Sequence, residues 1–202
     1  MPIDLRALVD PAHTVLVTQE CQVGVIGETS TLALKDNAQP IIQPITALAN
    51  AARDAGVPVI HCVAWRRKDD RGSNHNARIF KGVAKTGLDL SPGSVGADVV
   101  PEIGPIGDDL VLGRYHGLGP MGGTDLSAVC RNLDATTIIG VGVSVNIGML
   151  NFAMDAVNAG FQFVLPRDCV AGIPADYADA VIDNTISMVA TVTTSSEIQG
   201  AW

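Results

Sequence analysis

The sequence predicts a three-layer α/β/α fold, with a mostly parallel, Rossmann-like sheet covered by helices on both faces. Three observations carry that prediction. Apolar, β-branched runs alternate along the chain with segments of helical spacing, the order that βαβ units produce. The run Thr136 to Val143, TTIIGVGV, contains no charge and does not alternate, as befits a strand buried on both faces. It passes into helical spacing from Asn146 to Asn158 and then into a second apolar run, Phe161 to Leu165. Strand, turn, helix and strand thus follow in one unit, and such crossovers are almost always right-handed.

Composition bounds the rest. The 202 residues, 47% of them hydrophobic, suffice for a sizeable core. No linker, charge block or repeat divides the chain, so a single domain over residues 1–202 is expected. The net charge is -8, and Asp69 and Asp70 offset the basic cluster Arg66-Arg67-Lys68. Nucleic acid and anionic membranes are therefore poor partners, and a small-molecule substrate is the expected one. The start, MPIDLRALVDPAH, lacks the basic and apolar regions of a signal peptide, and no apolar run reaches the length of a membrane span. Cys21, Cys62, Cys130 and Cys169 are widely spaced, without the pairing of metal ligands. Reduced thiols in a cytoplasmic protein, with neither metal nor other cofactor, are the expectation.

In chain order, Thr14 to Thr18 is the first strand, and it leads into Glu20-Cys21-Gln22. An acid placed there stands at the carboxyl edge of a parallel sheet. Residues 27–40 read as a loop or short helix. Ile41 to Ala55 has helical spacing (Ile42, Ile45, Leu48, Ala52) and stops at Gly56. Val57 to Val63 is the second strand, with Pro58 at its tolerated first positions; His61 inside it suits a core or supporting role. In the polar loop from Ala64 to Phe80, Trp65, Arg66, Arg67, Asn74, His75, Asn76 and Arg78 can line a pocket for a carboxylate. Taken singly, each is equally well explained as a solvated loop residue. Residues 81–107 form a long Gly-, Pro- and Asp-containing connection, and connections of that length commonly cover a site.

Asp109 to Leu112 is the third strand, and it delivers Arg114, Tyr115 and His116 to the same edge. Thr124 reads as the N-cap of a helix to Asn132. In the central helix the expected apolar side is Ile147, Leu150, Met154 and Val157, with Ala153 and Ala156 beside it and Gly160 as its stop. After the exit Pro166 to Gly172, a helix is expected from Pro174 to about Ala190, with Asp176 and Asp179 near its positive end. Thr191 to Trp202 reads as a short strand or turn whose apolar end packs on the body or on a partner subunit. The turn Val143 to Gly148 lies where open α/β sheets place ligands, since free N–H groups and the helix dipole favour anions there.

The stretches Gly142-Val143-Ser144-Val145-Asn146-Ile147-Gly148, Asp155-Ala156, Ala159-Gly160 and Asp168-Cys169-Val170-Ala171-Gly172 resemble the isochorismatase-like hydrolase family. Gly123-Thr124-Asp125-Leu126 and Glu20-Cys21-Gln22 extend the resemblance over nearly the whole chain. The family includes isochorismatases, nicotinamidases and other cysteine amidohydrolases. Its cysteine hydrolases use an Asp after strand one, a Lys after strand three and a Cys in the first turn of the central helix. Those positions align with Glu20, Arg114 and Gly148. Glycine cannot be a nucleophile, so the thioester route is closed at this position.

Isochorismatases are similar to this chain in having glycine there. They cleave a vinyl ether by protonating the enol carbon, and water then attacks the oxocarbenium ion. The resemblance therefore implies a hydrolase of a small, carboxylated, enol-ether-type substrate. Glu20 would be its acid, Arg114 would hold substrate charge, and Gly148 would leave room at the helix. Ser144, Trp65, Arg78, Tyr115 and His116 are the expected substrate-binding residues. Two further readings stay open: a non-catalytic small-ligand-binding homologue, and an amidohydrolase whose nucleophile has moved to Cys21 or Ser144. The resemblance also implies a cis Val143–Ser144 peptide and a homo-oligomer, dimer or tetramer.

Overall fold

The computed structural model describes residues 3–202. In chain order the elements are α1 (Leu5–Leu8), β1 (Thr14–Gln19), α2 (Val23–Ile26), α3 (Lys35–Ala38), α4 (Ile42–Asp54), β2 (Val59–Ala64), α5 (Arg78–Ala84) and β3 (Leu110–Arg114). They continue with α6 (Leu126–Asn132), β4 (Thr137–Val143), α7 (Leu150–Asn158), β5 (Gln162–Pro166), β6 (Val170–Ala171), α8 (Ala175–Asn184), β7 (Thr191–Thr193) and α9 (Ser195–Ala201). The strands form one seven-stranded sheet in the order β3-β2-β1-β4-β5-β7, with β6 also paired to β4, and every pairing is parallel.

Each face of the sheet buries its own core. Leu16, Val59, Val141 and Val143 pack with Ile45 and Leu48 of α4 and Ile198 of α9. Val15, Val17, Ile138 and Phe163 pack with Leu126 of α6, Phe152 of α7 and Ile182 of α8. Successive residues of β1 thus enter opposite layers, which is why TVLVT is apolar without alternation. The expected three layers are present.

Five local expectations are corrected. A π-helical turn, Val145–Met149, precedes α7, with the Met149 N–H donating to Ser144 O at 3.0 Å. The buried side of α7 holds Phe152, Ala153 and Ala156, whereas Met154 and Val157 are 41% and 39% exposed. The polar stripe Asn151, Asp155 and Asn158 lies opposite Ala153 and Ala156, and the expected row Leu150, Met154 and Val157 flanks the buried side. Small residues allow close approach to the sheet, and Phe152 stands edge-on to Phe163 with centroids 4.9 Å apart. A Cβ on Gly140 would lie 2.2 Å from that Phe163 ring, so glycine there clears the space.

The helix expected from Thr124 begins at Leu126, and the Thr124 hydroxyl accepts the Leu126 N–H at 3.2 Å. The helix expected to reach Ala190 ends at Asn184, because Thr185 leaves helical geometry, and Pro174 is its N-cap. The C-terminal segment contains α9, started by a capping box between Thr194 and Glu197. Asp168 anchors it by accepting the Ser195 N–H at 2.8 Å. Trp202 Nε1 donates to Val9 O at 2.8 Å, so the apolar end packs on the chain's own body.

One buried polar network crosses the α4 side of the sheet. Asp109, just before β3, accepts from Arg53 Nη2 at 2.8 Å, from the Ile106 N–H at 2.7 Å and from His61 Nε2 at 3.1 Å. A carboxylate can only accept, so His61 Nε2 carries the proton and its Nδ1 accepts from Thr18 Oγ1, 2.9 Å away. Burial pushes the His61 pKa down, and Asp109 only partly opposes this. Burial pushes Asp109 up, but its bonds from Arg53, Ile106 and His61 outweigh this and hold it below the usual range. The supporting role expected for His61 is the one it occupies.

Candidate active site

The order β3-β2-β1-β4-β5 has a switch point: connections from β1 and β4 run to opposite sides of the sheet. Gln19 is in register with Gly142, so the chain leaving β1 at Glu20 and the turn at Ser144 emerge side by side. Ala64 is in register with Arg114, which brings the end of β3 to the same edge. Glu20 adopts a φ of 53°, which turns the chain sharply away from the sheet.

Arg114 Nη2 donates to Glu20 Oε1. The Arg114 side chain is 5% exposed and that of Glu20 24%. Arg114 Nε and Nη1 are buried without a partner, leaving two donors for a bound acceptor. The pair lies in a cavity of about 160 Å³, also lined by Ser144, Gly148, Trp65, Tyr115 and His116. The Val143–Ser144 peptide is cis. Trp65 and Tyr115 meet with ring centroids 5.6 Å apart, and a Cβ on Gly113 would lie 2.3 Å from the Trp65 ring. Glycine in β3 therefore lets that indole pack over the strand.

Arg78 is the exception among the expected residues. It is exposed at the start of α5, which turns Ile79, Phe80 and Val83 toward the cavity instead. Arg66 and Asn74 line the cavity, whereas Arg67, His75 and Asn76 do not. Arg66 pairs with Asp70 at 2.7 Å, and Asn74 Oδ1 accepts the Gly117 N–H at 2.9 Å, tying together the loops after β2 and β3. The long connection contributes Val83, Leu88 and Leu90, and the segment after β1 contributes Val25 and Leu32.

Gln19 is the residue that sequence reasoning missed. A Cβ on Gly148 would stand 2.1 Å from Gln19 Nε2 and 3.1 Å from Leu118 O. Gln19 is fully buried, and its Nε2 donates to Leu118 O at 3.4 Å. Its amide thus fills the space that any side chain at position 148 would enter. The available signal was a lone amide ending the buried strand TVLVTQ. Gly148→Ala, which in an open helix gains up to about 1 kcal/mol, is expected here to lose about 1–3 kcal/mol by overpacking. Adding Gln19→Ala should recover most of that loss in a double-mutant cycle of urea midpoints. A Gly148→Ala protein as stable as the parent would contradict the contact.

The two relocated nucleophiles are poorly placed. Cys21 is 1% exposed in the α4-side core, and burial and then the Glu20 charge push its thiol up to about 12. Burial likewise raises Cys62 to about 12 and Cys130 to about 11, and pushes Cys169 up as well. Ser144 Oγ donates to Asn146 Oδ1 at 2.7 Å, and an amide is no base. All four cysteines are free and buried. Iodoacetamide at neutral pH is therefore expected to label none of them in the folded protein and to leave activity intact, as read by intact mass and rate. Rapid labelling of Cys21 with loss of activity would restore the thiol route.

An open α/β sheet with a carboxylate–guanidinium pair in a cavity at its switch point is the place where folds of this class bind small molecules. The isochorismatase domain profile matches residues 14–197, and the chain belongs to the isochorismatase family of hydrolases. It is similar in fold to a cysteine hydrolase from Pseudomonas syringae pv. phaseolicola 1448A, with 24% identity over 96% of each chain and a TM-score of 0.85. N-carbamoylsarcosine amidase from Thermoplasma acidophilum is 22% identical over 91% of this chain and 96% of its own, with a TM-score of 0.74. Pyrazinamidase of Pyrococcus horikoshii, in complex with zinc, is 17% identical over 90% and 99%, with a TM-score of 0.75. Among proteins of curated function, none matches the chain.

Among the described residues no three His, Cys, Asp or Glu side chains stand close enough to hold a metal. Nor is any described helix long and apolar enough to cross a membrane.

Proposed function

We propose that the chain hydrolyses a small, carboxylated, enol-ether-type substrate by general acid catalysis, without a covalent enzyme intermediate. The observation that carries this reading is the contact of Glu20 with Arg114 in a cavity bordered by Gly148, which has no side chain, and by Ser144, whose hydroxyl is bonded to the Asn146 amide. Arg114, whose side chain is 5% exposed beside Glu20, holds the substrate carboxylate through its positive charge. The step requires a proton on Glu20. Glu20 gives that proton to the enol carbon, and the ether oxygen stabilises the resulting cation. Water adds to the cationic carbon and returns a proton to Glu20. The hemiketal then breaks its ether C–O bond as the hydroxyl proton passes to the ether oxygen, releasing an alcohol and a ketone. A positioned acid of this kind contributes on the order of 10²–10⁴ in rate.

A second reading, a binding homologue without turnover, is favoured by one feature: Arg114 already engages Glu20 in the free chain. A screen of isochorismate, other enol ethers and simple amides separates the readings. Turnover of an enol ether supports acid catalysis, and binding without turnover supports the second reading. Turnover of amides alone would overturn both.

Four unpaired cysteines suit a reducing, cytoplasmic setting. Self-association is proposed from the family resemblance alone, because the apolar C-terminus is used internally. Light scattering that gives only the 21.0 kDa of one chain would reject it.

A further inference from the structure

The cavity lining is of two unlike kinds. Its charged members are Arg66 and the Glu20–Arg114 pair, in which the Arg114 side chain is 95% buried. Most of the rest is hydrocarbon, from Leu32, Phe80, Val83, Leu88, Leu90 and Trp65, with Ser73, Asn74 and His116 as neutral polar neighbours. Arg66 also borders the cavity, but its charge is met by Asp70 at 2.7 Å. A second anionic group on the ligand would therefore lie against hydrocarbon with no cation to receive it, which is costly. The cavity measures about 160 Å³, close to the roughly 150 Å³ apolar cavity that takes up benzene.

We infer that this site selects a monoanion with an apolar body of about six carbons, ring or short chain, and discriminates against diacids. The inference rests on the reading of Arg114 as the anion-binding group and narrows the substrate from carboxylated compounds in general to monocarboxylates, so isochorismate, a dicarboxylate, is expected to be the poorest of the enol ethers screened. The carboxylate meets Arg114, and the body displaces water from the wall formed by α5 and the loop after it. Burial of each methylene is worth about 0.8 kcal/mol, or nearly fourfold in affinity. Affinity is thus expected to climb with chain length and to level off once the space is filled.

The test is equilibrium binding of propionate, butyrate, hexanoate and octanoate, followed by Trp65 fluorescence. Trp202, bonded to Val9 away from the cavity, supplies a constant background. Affinity should rise about fourfold per added methylene up to about six carbons and change little beyond. Adipate, a diacid of the same length as hexanoate, should bind at least about tenfold more weakly than hexanoate. Val83→Asp, with its fold checked by circular dichroism, should abolish the chain-length gain. Absence of binding by every acid, affinity independent of length, or adipate equal to hexanoate would each overturn the inference. No reaction is needed for the measurement, so its outcome is separate from that of the hydrolysis reading. An inert protein with the expected series keeps the ligand class, and an active one with a flat series loses it.

Discussion

Glu20→Gln is expected to lower turnover of an enol-ether substrate by about 10²–10⁴ while leaving its dissociation constant within a few-fold of the parent. The amide keeps the length of the side chain and one oxygen for Arg114 Nη2, so the pair's geometry survives. What it removes is the proton that the enol carbon must receive. Arg114→Ala should act differently. It removes the group that holds the carboxylate and leaves a partly buried Glu20 unpaired, so it raises the dissociation constant first. Single-turnover rates and separate binding titrations distinguish the two effects. Full turnover by Glu20→Gln on a verified substrate would remove Glu20 as the acid and with it the mechanism.

Asp109→Ala is expected to cost about 3–5 kcal/mol of stability, roughly 6–20 °C in Tm. Its side chain is 4% exposed and receives bonds from Arg53, His61 and the Ile106 N–H. Removing it strands a guanidinium and an imidazole N–H in the interior, whereas Asp109→Asn keeps an acceptor and should lose less. The same network sets an acid limit. The folded-state pKa of His61 lies below its ordinary 6.5, so the unfolded chain takes up a proton that the folded chain refuses as pH falls through about 6.5. Asp109 also has a depressed folded pKa, so its contribution is present above its ordinary 3.8 and disappears as pH falls below that value. Stability to urea should therefore decline from pH 7 toward pH 5 and then more steeply near pH 4. A flat profile over that range would contradict the buried, neutral His61.

The layers and the switch-point turn were legible in the amino-acid sequence because they follow from local physics. A strand covered on both faces must be apolar without alternation, as TTIIGVGV is, and a chain that turns from strand into helix must present N–H groups there. Glu20, Arg114 and Ser144 could be placed at one sheet edge for the same reason, since parallel strands all end on one side. The capping box at Thr194 and Glu197 was equally local, present in the sequence and readable from its spacing.

Other features needed the folded chain. The face that α7 buries was decided by the close approach of Ala153 and Ala156 to the sheet, which leaves the larger Met154 and Val157 partly exposed. Arg78 was lost from the site when α5 turned Ile79, Phe80 and Val83 inward. Gln19 filled the space beside Gly148, a contact between residues 129 positions apart (148 minus 19) that no spacing rule links. Glu20 and Arg114, 94 positions apart, each looked like a solvated strand end, and only the parallel register of β1, β2 and β3 made them a pair. Sequence by itself determined which groups reach the sheet edge, since backbone periodicity and burial act over a few residues. Tertiary structure decided which of them touch, since distances across the sheet edge follow from the register of several strands at once.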